Sequence, residues 1–234
     1  MAAKTYAERS REIIEHYAQY GEKAGLAGVA AALKLGRVTP ALSTALIEML
    51  RKPSGDMFWM FPMTAVAYCD RGQLSDQARR AMREAWRTYY PYRGDTENHW
   101  LLYYSTLYLM SQLWPDAQWY TGKSSTENMA EAEGWIRHWM KLATTKGQGE
   151  YDCTHYLGVY LLPLSYLMGW SADAKMRERA RRMLEWIMAD FGAELLNGCY
   201  VGAHARTDDA QVLEKWNGVS GSAAWLLYGE GFPQ

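Results

Sequence analysis

The feature that most constrains this chain is an alternation between two kinds of predicted helix. Residues 75–90, 125–142 and 172–191 are amphipathic, with apolar side chains recurring every three or four residues on one face. Residues 97–114 and 153–168 are instead apolar or aromatic on almost every face, so we expect these two helices to be buried all round. In a bundle of equivalent helices each helix would keep a wet face. The alternation therefore predicts two nested layers of helices.

We predict an all-α fold, an incomplete (α/α)n toroid of helical hairpins with an inner and an outer helix layer. The inner segments begin near residues 56, 97, 153 and 203. This is too few hairpins to close a ring, and the apolar run near the C-terminus resembles the start of another inner helix. We expect one toroid domain over residues 1–234, as a fragment of such a ring.

Composition and charge narrow the classes of function. The formal net charge is −1, which argues against a nucleic-acid partner because a general nucleic-acid binder needs a basic face. We find no transmembrane segment, no signal peptide and no sequence spacing typical of a metal or cofactor site, so we predict no cofactor. The three cysteines are too few and too widely spaced for a disulfide scaffold. The compartment is left open.

The polar residues collect in four connections that each lead from an outer helix to the next inner helix. In a toroid these connections all lie at the same end. They cover residues 51–59, 90–100, 144–156 and 197–209, and they hold three of the five histidines, which are His99, His155 and His204. The opposite connections carry ordinary turn and cap residues. We therefore expect the functional site at the polar end.

The aromatic content indicates what this site could bind. The chain has 11 Trp and 17 Tyr but 4 Phe, and Trp and Tyr combine a flat apolar face with a polar tip. An aromatic trough with charged groups at its mouth is typical of a poly- or oligosaccharide site. The candidate substrate-binding residues are Trp59, Trp100, Tyr103, Tyr104, Arg93, Lys146 and His155.

The pair Asn98-His99 opens one predicted inner helix, and a tyrosine-rich segment opens the next. In this pattern the chain resembles the α/α-toroid polysaccharide lyases, such as alginate and heparin lyases. The resemblance implies that an Asn with a His or Arg neutralises the uronate carboxylate, while a Tyr or His removes the proton at C5 and a Tyr protonates the leaving oxygen. The residues that match by kind and order are Asn98, His99, Tyr151 or Tyr156, His204 and Arg206.

Two other functions fit the same residues. A glycoside hydrolase needs two carboxylates that flank the scissile bond, and Glu97 with either Glu150 or Asp152 is the natural pair. A non-catalytic helical module that binds a glycan or a protein needs neither the Asn, His and Tyr residues of a lyase nor the two carboxylates of a hydrolase. The reaction products separate the three functions. A lyase forms an unsaturated sugar that absorbs in the near ultraviolet, a hydrolase forms only new reducing ends, and a binding module forms neither.

Overall fold

The computed structural model describes residues 3–53, 55–116, 118–150, 153–202, 213 and 219–229. Over these residues the chain is mostly helical, which confirms the predicted all-α class. The α-helices are α1 Tyr6–Tyr20, α2 Gly25–Lys34, α3 Pro40–Leu50, α4 Met57–Cys69, α5 Asp76–Thr88, α6 Glu97–Leu113, α7 Ser125–Lys146, α8 Tyr156–Trp170, α9 Ala174–Ala193 and α10 Val219–Tyr228. A 3₁₀ helix, Gly21–Ala24, precedes α2, and two short strands, β1 Leu195–Leu196 and β2 Cys199–Tyr200, follow α9.

The chain divides into two compact units. The first unit comprises Met1–Arg11, Thr96–Leu101 and Ile136–Gln234, and the second comprises Glu12–Asp95 and Leu102–Trp135. Each unit has its own packed core. In the second unit α2 packs against α4, and α3 packs against α5.

In the first unit α8 packs against α9, and α10 packs against α8 and β2. A close approach between α8 and α10 occurs at Gly158, where an added Cβ would lie 1.8 Å from Val219 Cγ1. Arg9 closes the other end of α10, because its guanidinium donates to the carbonyls of Leu226 and Leu227. Such carbonyls at the end of a helix have no partner within the helix.

Side-chain caps explain where several helices begin. Ser75 caps α5, since its hydroxyl accepts a hydrogen bond from the N–H of Ala78. Asp173 caps α9 by accepting from Lys175 and Met176. The apolar stripe of α9 is also confirmed. Its residues are 3% exposed or less, and they are Met176, Ala180, Met183, Ile187 and Phe191.

The two helices predicted to be buried all round differ. Every residue of α6 from 101 to 111 is buried, as predicted. The same prediction for α8 was wrong, because Leu162 is 48% exposed and Met168 is 38% exposed. The packing partners of α8 are α9 and α10, and among the described residues they leave part of the apolar surface of α8 exposed. The apolar sequence of α8 therefore does not show which of its faces pack against another helix.

The strands form one antiparallel hairpin, in which Leu195 pairs with Tyr200. The turn between them is Asn197-Gly198, and both residues have positive φ, at 51° and 75°. An Asn-Gly pair with these φ values is typical of a tight β-hairpin turn. With only two residues in each strand, alternation in the sequence could not reveal it.

Candidate functional site

The predicted catalytic residues that the structure describes belong to the first unit. Glu97, Asn98 and His99 form the first turn of α6, and Tyr156 is the first residue of α8. Glu150 lies in the connection between α7 and α8. The remaining predicted catalytic residues lie outside the described residues, and they are Tyr151, Asp152, His204 and Arg206.

A buried contact between Glu150 and Asn98 ties the start of α6 to the connection before α8. Glu150 Oε2 accepts one hydrogen bond from the backbone N–H of Asn98, at 3.1 Å, and another from the side-chain amide of Asn98. The N–H groups in the first turn of a helix have no acceptor within that helix, so Glu150 supplies one from a distant segment. Glu150 is 5% exposed and Asn98 is fully buried, so this cap lies away from solvent.

The side-chain amide of Asn98 extends this contact towards His99. Asn98 Nδ2 also donates to Thr96 Oγ1 at 3.0 Å, and Thr96 Oγ1 lies 2.7 Å from His99 Nδ1. The amide is oriented with its nitrogen towards Glu150, because an amide oxygen there would face a carboxylate oxygen. Glu150, Asn98, Thr96 and His99 thus form one continuous series of hydrogen bonds, which we call the Glu150–His99 network.

The Thr96 hydroxyl contacts the Nδ1 atom of the His99 ring. A hydroxyl has one hydrogen and two lone pairs, so Thr96 Oγ1 can donate to Nδ1 while it accepts from Asn98. In the Nε2–H tautomer the hydroxyl donates to Nδ1, and the ring hydrogen is on Nε2. His99 itself is half-buried.

The same contacts give Asn98 a different role from the one the lyase resemblance implies. Both amide hydrogens of Asn98 are used, one by Glu150 and one by Thr96. Asn98 Oδ1 has no hydrogen-bond partner, but an oxygen can only accept and cannot neutralise a carboxylate. In this geometry the amide hydrogens of Asn98 are directed at protein groups and not at a ligand.

Glu97 lies beside this network and accepts three hydrogen bonds. Its carboxylate accepts from Trp139 Nε1 at 2.6 Å, from the Tyr160 hydroxyl at 2.7 Å and from the backbone N–H of Glu150 at 3.1 Å. These donors come from α7, from α8 and from the connection between them. Glu97 therefore joins the start of α6 to both neighbouring helices of the first unit.

The Tyr160 hydroxyl lies between the carboxylates of Glu97 and Glu150, and its distance to Glu150 Oε2 is 3.3 Å. Tyr160 is fully buried. Burial, with the charges of Glu97 and Glu150, raises the pKa of Tyr160 far above its ordinary value, so the hydroxyl remains a neutral donor. A sugar could not enter between these two carboxylates without displacing Tyr160, so the geometry does not favour Glu97 and Glu150 as a hydrolytic pair.

Tyr156 lies at the same end of α8 as this cluster. It precedes Tyr160 by one helical turn, which places both residues on the same face of α8. Tyr156 is half-buried, and its ring meets the ring of His155 edge to face with centroids 5.2 Å apart. Its backbone N–H donates to Cys153 Sγ at 3.4 Å.

The other predicted binding residues of the first unit are accessible to different extents. Trp100 is half-buried in α6, and His155 is half-buried just before α8. Lys146 is exposed at the last position of α7.

The predicted binding residues of the second unit fall into two groups. Tyr103 and Tyr104 are each 5% exposed, and Tyr104 stacks on Trp135 with ring centroids 4.8 Å apart. These two rings pack in the core, so the expectation that they offer a face to a sugar does not hold. Trp59 is half-buried and Arg93 is exposed, with Arg93 donating to the Tyr104 hydroxyl at 3.2 Å.

Sequence reasoning missed three residues of the cluster, which are Thr96, Trp139 and Tyr160. Thr96 lies three residues before His99, and this spacing allows a side-chain contact across the first turn. Tyr160 follows the predicted site residue Tyr156 by four positions, which is a helical spacing that could have revealed it. Nothing local to Trp139 indicates that its indole meets Glu97, 42 positions away.

Within the described part of the chain, no group of three or more His, Cys, Asp or Glu residues is arranged to hold a metal ion. None of the described helices combines the length and apolarity needed to span a membrane. Comparisons of the chain with protein-family models, curated proteins and solved structures give no match. The residues of the cluster are therefore the basis for inferring a function.

Proposed function

We propose that this protein is a carbohydrate-active enzyme that cleaves an acidic polysaccharide by β-elimination at a uronate residue. The observation that carries the proposal is the Glu150–His99 network, which holds a half-buried imidazole by a series of hydrogen bonds that begins at the buried carboxylate of Glu150. A plain helix cap would need only the contact between Glu150 and the backbone of Asn98. The extension through Thr96 to His99 serves to orient the imidazole.

β-Elimination makes a specific demand on the site. A base takes the proton from C5, the electrons of that C–H bond form the C4–C5 double bond, and the C4–O bond breaks. The leaving oxygen then takes up a proton. Negative charge develops on the carboxylate of the sugar as the C5 proton leaves, so a donor must be in place to stabilise it.

In our proposal His99 is that donor, through Nε2–H. Asn98, Thr96 and Glu150 are positioning residues that act through His99. Tyr156, acting as a phenolate, takes the C5 proton and passes this proton to the leaving oxygen, which regenerates the phenolate. Tyr156 lies at the end of α8 that meets the start of α6 through Tyr160 and Glu97. Tyr151, His204 and Arg206 are further candidates for these steps from the resemblance.

The incomplete toroid is the architecture that we propose for this enzyme. Two observations support it, one in each unit. In the second unit, the connections 51–59 and 90–100 meet through a parallel bridge between Asp56 and Tyr92, and the Tyr89 hydroxyl donates to the Gly55 carbonyl at 2.6 Å. In the first unit, the connection 144–156 meets the start of α6 through Glu150. Connections that are distant in sequence therefore meet in pairs, as the predicted polar end requires.

The test is turnover of polyuronates by the full chain, measured as near-ultraviolet absorbance of the unsaturated product. We expect His99→Gln to lower turnover at least about 100-fold, with an unchanged helical signal and melting temperature. His138→Gln is the matched control, since His138 is exposed on α7 and should leave turnover unchanged. Full activity of His99→Gln on a polyuronate that the parent cleaves would contradict the assignment.

Thr96 tests the positioning role separately. Thr96→Val removes the hydroxyl at nearly constant shape, and we expect it to lower kcat about tenfold and to shift the pH profile of kcat. Thr96→Ser keeps the hydroxyl and should restore both. If Thr96→Val changes only the melting temperature, the contact with His99 is structural alone.

The product also decides between the candidate functions. New reducing ends without near-ultraviolet absorbance would indicate the hydrolase instead. Binding of the polymer without any product would indicate the non-catalytic glycan-binding module.

A further inference from the structure

A groove with basic walls runs between the C-terminal half of α7 and the middle of α9, both within the first unit. Its volume is about 330 Å³, and Met140 and Met183 are the apolar residues of its floor. A second depression of about 360 Å³ continues it towards the start of α9 and shares Arg179 and Arg182 with it. None of the residues of the Glu150–His99 network lines either depression.

Helical spacing places the cations in two facing rows. On α7, Arg137 and Lys141 are four residues apart and therefore lie on one face. On α9, Lys175, Arg179 and Arg182 repeat at intervals of four and three residues, which also places them on one face. A chain whose net charge is −1 thus concentrates five cations along one groove.

One of the residues that line the two depressions is acidic. Glu178 is the acidic residue that lines the groove, and it is held by hydrogen bonds from Arg181 at 2.8 Å and from Arg182 at 2.7 Å. Both guanidinium groups lower the pKa of Glu178 to about 2, so it is ionised and already engaged with cations. The groove is therefore an electropositive surface that attracts anions.

The shape of the groove indicates a polymer rather than a single ion. The row on α9 from Lys175 to Trp186 spans about 16 Å at the rise of an α-helix. Cations spread over this length can pair with a linear ligand that carries negative charges at intervals along its chain. Trp186 ends the row and is 37% exposed, which gives a ring face next to the cations. Repeated negative charge together with a flat ring to stack on matches a strand of acidic sugars.

We infer that the α7–α9 groove binds a strand of acidic polysaccharide at a second site, apart from the residues that carry out the chemistry. The choice of a polysaccharide over other linear polyanions rests on the proposed function and on the near-neutral net charge, which does not suit a general nucleic-acid binder. The groove holds the polymer to the enzyme, and cleavage of short fragments does not depend on it.

The experiment compares the full chain with the double variant Lys141→Gln, Arg182→Gln. The matched control is Lys34→Gln, Arg80→Gln, which removes the same charge from exposed positions of α2 and α5. Binding of soluble polygalacturonate is measured by calorimetry at low salt, with uncharged dextran as the neutral polymer. We expect the groove variant to bind polygalacturonate about tenfold more weakly, while the control variant binds as the parent does and dextran binds to none of them.

Turnover distinguishes this inference from the proposed function. We expect the groove variant to show a higher KM for the polymer and an unchanged rate on a short oligouronide. If no unsaturated product forms but polygalacturonate still binds through the groove, the lyase proposal fails and the groove inference stands.

Three results would overturn the inference. The first is equal binding of polygalacturonate by the parent and the groove variant, and the second is no binding by the parent. The third is tighter binding of single-stranded DNA than of polygalacturonate through the same residues, which would make the groove a nucleic-acid site.

Discussion

The Glu150–His99 network and the α7–α9 groove belong to the same unit, yet they hold charge in opposite ways. In the network, and in Glu97 beside it, carboxylates accept hydrogen bonds from neutral donors, which are amides, an indole and a hydroxyl. In the groove, guanidinium and ammonium groups outnumber the acidic groups, and most of them are exposed. One region fixes geometry, and the other attracts ligands of opposite charge.

The two regions differ in how much folding free energy each loses when one hydrogen-bond or ion-pair partner is removed. A buried polar group that loses its partner cannot turn to water, so the whole cost of its desolvation remains. An exposed cation that loses its partner is solvated at once, and an exposed ion pair contributes about 0–1 kcal/mol. The network should therefore be sensitive to single substitutions, and the groove should tolerate them.

The largest effect is expected from Glu150→Ala. This change leaves both donors of Asn98 without their acceptor in a buried site. We expect the free energy of unfolding to fall by about 2–4 kcal/mol, measured by urea denaturation. Glu150→Gln keeps one acceptor oxygen and should cost about 1 kcal/mol. If the alanine and glutamine variants are equally stable, the carboxylate does not hold the start of α6.

The sequence pattern predicted the apolar stripes well, and α9 is the clearest case. Its stripe follows from a period that is local to the helix, so the buried face can be read from residues three and four apart. The pattern was less informative for α8, since burial of a whole helix depends on how many neighbours it finds. No local period contains that information.

The partners within the candidate site could not be predicted for a related reason. The contact between Asn98 and Glu150 joins residues 52 positions apart, and the contact between Glu97 and Tyr160 joins residues 63 positions apart. Sequence reasoning placed Glu97, Asn98, His99 and Glu150 in the same site because they lie in connections that a toroid brings together. It could not tell that the Asn98 side chain donates to Glu150 and to Thr96.

Alkaline pH provides the second test of the difference between buried and exposed groups. Burial raises the pKa of Tyr103 in the second unit to about 12, and it raises that of Tyr160 further. In the unfolded chain both ionise near their ordinary pKa of about 10, so the unfolded state loses protons first. Their contribution to stability is complete below about pH 10 and is lost as the pH rises from there.

For Tyr103 the loss between pH 10 and 12 should be about 2 kcal/mol, measured as a falling denaturation midpoint. Tyrosinate absorbance should rise in two phases, and the later phase comes from buried rings such as Tyr103 and Tyr160 as the protein unfolds. Tyr160→Phe should make the second phase smaller. A single phase at ordinary tyrosine pH would mean that these hydroxyls are reached by solvent in the folded state.

The smallest effect is expected from Arg182→Gln in the groove. The Arg182 side chain is 74% exposed, and its ion pair with Glu178 is shared with Arg181. We expect the free energy of unfolding to change by less than about 0.5 kcal/mol in the same urea measurement. Arg182→Gln and Glu150→Gln each remove one charge and leave an amide, so the difference between their stabilities measures what burial adds. A loss from Arg182→Gln as large as that from Glu150→Gln would show that the groove cations also hold the fold, and the two regions would then not differ in kind.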